Sequence, residues 1–153
     1  MRLAVPDPAA MRELGVRLAG LLDAGDLVVL TGSLGAGKTV LTQGIGAGLG
    51  VDGTVTSPTF VISRVHRGGR VPLVHVDAYR IGGLAEVDDL DLDTSVGDSV
   101  TVVEWGAGLV EDLADARLEV DIQRPVDGDV RTVTISAYGD RWAARAAALA
   151  ALG

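Results

Sequence analysis

Eight consecutive residues, Gly32-Ser33-Leu34-Gly35-Ala36-Gly37-Lys38-Thr39, match G-x-x-x-x-G-K-[ST] without departure. Glycines at these intervals let a backbone wrap an anion and turn successive amide N–H groups inward. A helix opening at Lys38 would add its positive end. On this spacing the loop from Ser33 through Leu34, Gly35, Ala36, Gly37, Lys38 and Thr39 cradles phosphates. The Lys38 ammonium reaches β- and γ-oxygens, and the Thr39 hydroxyl is placed for Mg²⁺. Of the 13 basic residues twelve are arginine, and Lys38 is the only lysine. A chance glycine-rich turn does not explain why the single lysine falls there.

A phosphate loop needs a second anchor for Mg²⁺, usually a carboxylate at the end of an apolar strand. Two candidates stand in that position: Asp77 closes Val71–Asp77, and Glu104 closes Val100–Glu104. In a parallel core both would emerge at the carboxyl edge, where open α/β sheets bind ligands. The plain alternative for each is a solvated strand end. Three of the five aromatics lie beside these groups: Phe60 after Ser57-Pro58-Thr59, Tyr79 two past Asp77, and Trp105 next to Glu104. Thr59 falls in the loop where nucleotide switches place a threonine that senses Mg²⁺ and the γ-phosphate. His66 and His75 read as structural, one near a turn and the other inside a strand.

The elements that must hold these groups alternate between strand-like and helix-like segments, the signature of an α/β fold. Asp7-Pro8 reads as an N-cap and first helical turn, followed by Met11, Leu14, Leu18, Leu21 and Leu22 at helical spacing. Leu27–Thr31 is an unbroken apolar run, as in a strand buried on both faces. The spacing predicts a helix from Lys38 to Leu49. Arg67-Gly68-Gly69-Arg70 and Asp127-Gly128-Asp129 are hairpin signals, so antiparallel strands join a parallel core. Asp140 is placed to cap a terminal helix through Trp142 to Leu152.

The chain has 153 residues, 48% hydrophobic and 22% charged, which fits one folded domain over 1–153. The net charge of −8 disfavours direct binding of nucleic acid or an anionic membrane. Cysteine is absent, which excludes disulfides, thiolate metal sites and cysteine nucleophiles. No signal pattern is expected, and no apolar run reaches the ~18 residues of a membrane span. The 21 glycines point to backbone positions with positive φ or close approach. The acidic stretch from Glu86 to Asp98 reads as a solvated face or a partner surface.

Taken together, Gly32–Thr39, Ser57-Pro58-Thr59-Phe60, His75-Val76-Asp77-Ala78-Tyr79-Arg80 and Val103-Glu104-Trp105 resemble, in order and spacing, the TsaE (YjeE) family. The resemblance implies a P-loop NTPase-like three-layer sandwich with a mixed, mainly parallel central sheet. It implies a cytoplasmic ATPase that binds ATP with Mg²⁺ and works with the TsaD and TsaB proteins. Those proteins make threonylcarbamoyladenosine in tRNAs reading codons that start with A, and TsaE resets the complex rather than transferring the group. By the family motif Thr39 and Glu104 would bind Mg²⁺, Ser33–Thr39 would hold the phosphates, and Asp77 would lie beside the metal. Arg131 matches a family position near the nucleotide, and any contact at Pro8 would be through packing or a carbonyl. Thr59 and the acidic stretch would face TsaD.

Three other readings compete with that one. A GTPase is disfavoured, because neither Asn-Lys-x-Asp nor Asp-x-x-Gly occurs. A small-molecule kinase would need an arginine lid, for which Arg64, Arg67 and Arg70 are the candidates. A nucleotide-sensing module without turnover is the third. For hydrolysis, Lys38, Asp77 and Glu104 are the candidate catalytic groups, with either carboxylate able to orient water. No arginine finger is evident in the sequence, so slow turnover by the isolated chain is expected.

Overall fold

The computed structural model describes residues 1–32, 35–51, 63–77, 98–104 and 116–152, with Ser63 and Asp77 placed by their backbone alone. In chain order its elements are β1 (Arg2–Val5), α1 (Pro8–Ala19), β2 (Leu27–Gly32), α2 (Lys38–Leu49), β3 (Ser63–His66), β4 (Leu73–Asp77), β5 (Val100–Glu104), β6 (Arg117–Gln123), β7 (Arg131–Tyr138), α3 (Asp140–Ala143) and α4 (Ala146–Ala150). The strands form a seven-stranded sheet in the order β1-β7-β6-β2-β5-β4-β3. The four inner strands β6, β2, β5 and β4 are parallel; β3 at one side and β7 at the other run against them, and the edge strand β1 pairs antiparallel with β7.

The unbroken apolar run of β2 is explained by its place, because parallel partners flank it on both edges. Alternate residues then separate by face. Val28, Leu30, Val100, Val102, Leu118, Val120, Ile122 and Leu73 join Met11, Leu14, Leu18, Leu41, Ile45 and Trp142 of the helices in one apolar cluster. On the opposite face Leu27, Val29, Val74, Val76 and Val103 are buried as well, as a layered sandwich requires. The mixed α/β sheet expected from the sequence is therefore present. No helix among the described residues is long and apolar enough to cross a membrane.

α1 begins as its sequence dictates: Asp7 Oδ1 accepts from the Ala10 amide at 2.7 Å, and proline occupies the first turn. α1 and α2 then meet almost backbone to backbone. A Cβ added to Gly44 would run into the Arg12 carbonyl oxygen, and one on Gly15 into that of Leu41. This seam fixes α2, and so the residues at its start, against the sheet.

Two segments depart from the sequence reading. The sequence offers no signal for β1, a four-residue edge strand whose partner, β7, is remote in sequence. The hairpin expected at Arg67–Arg70 is present, with Ser63–His66 paired to Leu73–Val76, and Phe60–Ile62 lie outside the described residues. The terminal helix is not continuous, and Asp140 does not cap it. α3 starts at Asp140 with Gly139 in the cap position, and the chain leaves the helix at Arg145, φ −106° and ψ 9°.

The break at Arg145 has a cause. Its guanidinium stacks on the Trp142 ring at 4.7 Å and donates to the Leu21 carbonyl at 2.9 Å. It also pairs at 2.8 Å with Asp26, which is 0% exposed and is met on its other oxygen by Arg141 at 3.1 Å. A carboxylate so deeply buried is tolerable only when paired. Arg70 likewise donates to the Ala19 and Leu22 carbonyls and to Asp23, tying the β3–β4 turn to the end of α1.

Two outcomes follow from this packing. Gly44→Ala is expected to destabilise the fold by about 2–3 kcal/mol, read as a lowered urea midpoint, because backbone lies where the methyl must go. His66 is held below the ordinary histidine value of 6.5, first by burial and then by repulsion from His75 and Arg64. The unfolded chain therefore takes up a proton before the folded one does. Stability is retained above pH 6.5 and lost as the pH falls through that value toward the lowered one. His66→Gln should shrink the drop in melting temperature between neutral and mildly acidic buffer.

Candidate functional site

β2, β4 and β5 all end on one edge of the sheet, and their register sets Leu30, Glu104 and Asp77 abreast. From that edge the chain passes through the glycine loop into α2. Gly35 and Gly37 take φ of 78° and 118°, conformations that a side chain would strain. Gly37 is the N-cap of α2 and supplies no side-chain acceptor to the first-turn amides. The positive end of the helix dipole faces the glycine loop there, the arrangement that favours an anion.

Lys38 opens α2 buried, and its Nζ donates to the Gly32 carbonyl at 2.6 Å. The ammonium is therefore folded back over the mouth of the loop instead of extending into solvent. Thr42 Oγ1 donates to the Lys38 carbonyl at 2.8 Å, closing the first turn behind it. Thr39 is half-buried beside it.

Glu104 is 4% exposed, a carboxylate withdrawn into the edge of a parallel sheet. Its Oε1 lies 3.2 Å from His75 Nε2, and His75 is itself fully buried. The site thus holds a buried ammonium at the start of α2 and a buried carboxylate at the end of β5, the strand beside β2. Asp77 ends β4 level with Glu104.

The family resemblance marks Arg131, many residues from the loop, and the fold brings the two together. Arg131 Nε donates to the Ala36 carbonyl at 3.2 Å, and Nη1 to that of Asp129 at 2.8 Å. Beside this contact is a cavity of about 350 Å³ lined by Pro6, Pro8, Met11, Gly35, Val40 and Arg131, among others. Pro8 lines this cavity. Ser33, Leu34 and Thr59 lie outside the described residues, as do Phe60, Tyr79, Trp105 and all of the acidic stretch except Asp98.

Two groups escaped the sequence reading. Arg124 lies one residue past β6, and its Nη1 is 3.3 Å from where a Gly35 Cβ would stand. Only the β2–β6 register, Gly32 opposite Ile122, could have predicted that approach. His75 reads as structural from its place inside a strand, and in the fold it touches Glu104. Its alternation with Asp77 along β4 was the available signal, since residues two apart share a face.

A family model described as threonylcarbamoyl adenosine biosynthesis protein TsaE matches residues 5–133. The chain belongs to the TsaE family. A tRNA threonylcarbamoyladenosine biosynthesis protein TsaE of Streptomyces coelicolor is 63% identical over 139 residues, covering 87% of this chain and 94% of that one. One of Bacillus subtilis is 39% identical over 137 residues, covering 89% and 85%. A crystal structure of Bacillus subtilis YdiB superposes with a TM-score of 0.78 at 32% identity, covering 98% of this chain and 93% of that one. The TsaE match contains the loop, Asp77, Glu104 and Arg131, whereas α3 and α4 lie beyond it.

Arg131→Ala removes the tie between the β6–β7 hairpin and the loop. One hydrogen bond is worth about 0.5–1.5 kcal/mol. Amide exchange over Gly35–Gly37 should then quicken by up to about tenfold, measured by mass spectrometry, with little change in melting temperature.

Proposed function

We propose that this chain is the ATP-binding and ATP-hydrolysing component of the system that makes N6-threonylcarbamoyladenosine in tRNAs reading codons that start with A. Its family membership supports the pathway, and the site supports the chemistry. The observation that carries the reading is the single lysine of the chain, buried at the start of α2 on a glycine loop, one strand away from a buried glutamate.

The residues fit a nucleotide with its divalent ion. Gly35 and Gly37 leave a cradle that side chains would fill, and the uncapped first turn of α2 offers donors to phosphate. The cavity beside Pro8 and Arg131 is mostly apolar and large enough for a purine ring, so we place the adenine there. Mg²⁺ keeps several waters and takes few protein ligands along with the phosphates. Thr39 and Glu104 would supply those ligands. When bound, the ion would neutralise charge on the β- and γ-oxygens.

The residues of the chain do the rest. Backbone amides of Ser33–Thr39 hold the phosphates in line, and Lys38 shifts from the Gly32 carbonyl to the β- and γ-oxygens. Asp77 or Glu104 orients the attacking water. Arg131 borders the cavity, on the adenine side of the loop. We propose slow turnover for the isolated chain and faster turnover with TsaD and TsaB. Hydrolysis would release ADP and phosphate and change the state of that complex, with no group passed to the tRNA.

The net charge of −8 suits a protein partner in the cytoplasm better than direct contact with tRNA. A kinase lid is disfavoured by Arg70, whose guanidinium is spent on carbonyls at the end of α1.

Nucleoside mass spectrometry on tRNA from cells depleted of this chain tests the reading. Threonylcarbamoyladenosine should fall and return with the intact chain but not with Lys38→Ala. In vitro, the same variant should bind Mg-ATP about 10–100-fold more weakly, the worth of one charge-assisted hydrogen bond. Unchanged nucleoside levels would leave a nucleotide-binding domain with another task.

A further inference from the structure

β4 and β5 are parallel neighbours in which His75 pairs with Val102 and Asp77 with Glu104. His75 and Glu104 therefore sit on the same face, one step apart along the strands, and their side chains meet diagonally at 3.2 Å. With the carboxylate ionised, the contact is a hydrogen bond donated by Nε2. The ring hydrogen then belongs to Nε2, and Nδ1 carries the lone pair.

That Nδ1 is buried and has no partner among the described residues. A buried acceptor without a partner is a cost. At a packing position the sheet elsewhere uses Leu73, Val74 and Val76, which carry no such cost. The imidazole is thus retained for what Nε2 does, not for filling space. A glutamate side chain has three rotatable bonds, and one donor from a ring locked in the neighbouring strand restricts them. His75 engages one carboxylate oxygen, Oε1.

The geometry points to His75 as a positioning residue for Glu104: its Nε2–H holds the carboxylate at the sheet edge in the orientation that a divalent cation requires. This rests on the proposed role of Glu104 as metal anchor. Carboxylates that bind metals are themselves held by hydrogen bonds, and losing such a partner typically weakens metal affinity by about 10–100-fold.

The test is calorimetric titration of the full chain with ADP, once with Mg²⁺ and once with EDTA. His75→Phe should leave ADP affinity in EDTA within about twofold and reduce the gain from Mg²⁺ by about tenfold. His75→Gln, which keeps a donor, should recover most of that gain. In a Glu104→Gln background, His75→Phe should add nothing further, because the histidine acts only through the carboxylate. A folded His75→Phe with the full Mg²⁺ gain overturns the proposal, as does a loss that persists in the Glu104→Gln background.

Should His75→Phe fail to fold, the unaltered chain still decides. Nitrogen-15 NMR of the His75 ring should show hydrogen on Nε2, with a signal that moves on adding Mg²⁺ to the ADP complex but not on adding ADP in EDTA. A signal indifferent to Mg²⁺, or hydrogen on Nδ1, sinks the idea. If the unaltered chain gains nothing from Mg²⁺ at all, the metal reading of Glu104 fails first, and this inference falls with it.

Discussion

The structure depends on β2 being enclosed by parallel neighbours on both edges and buried on both faces. Such a strand cannot end in a solvated turn within the sheet. Its last residue, Gly32, stands beside Ile122 near the end of β6 and two residues past Leu30, which is level with the end of β5, and there the chain turns toward a helix. The glycine loop is that turn. The α1–α2 seam at Gly15 and Gly44 then sets where the helix starts, so the position of Lys38 is decided by backbone contacts well inside the protein. Precision at the edge is inherited from packing in the middle.

Much of this was legible before any coordinates. The loop has fixed spacing, β2 is apolar without a break, and α2 ends at glycine, all local features whose physics is carried by neighbouring residues. The carboxyl ends at Asp77 and Glu104 were legible for the same reason. Strand β5 was anticipated at Val100–Glu104 because the run of β-branched residues stops at the charge. The two hairpins were readable from their glycine turns.

What escaped depends on register and on distance along the chain. Arg124 meets Gly35 only because Gly32 pairs with Ile122, and no local pattern announces a pairing across some ninety residues. The edge strand β1 is too short to show alternation and is made a strand by β7. The alanine-rich tail has the propensity for one helix, yet it breaks where Arg145 finds Asp26 and the Leu21 carbonyl. Tertiary pairing overrode helix propensity there. His75 was passed over because a histidine in a strand gives no local sign of which residue will lie diagonally opposite.

The Asp26 contacts also bear on the order in which the molecule can be completed. This carboxylate sits at the foot of β2, with no exposure, and its two arginines come from a part of the chain made long after the central strand. Until Arg141 and Arg145 have been synthesised, closing the sheet would strand a bare charge in its interior. The close packing at the foot of β2 therefore depends on two arginines remote in sequence, charges that never touch the loop.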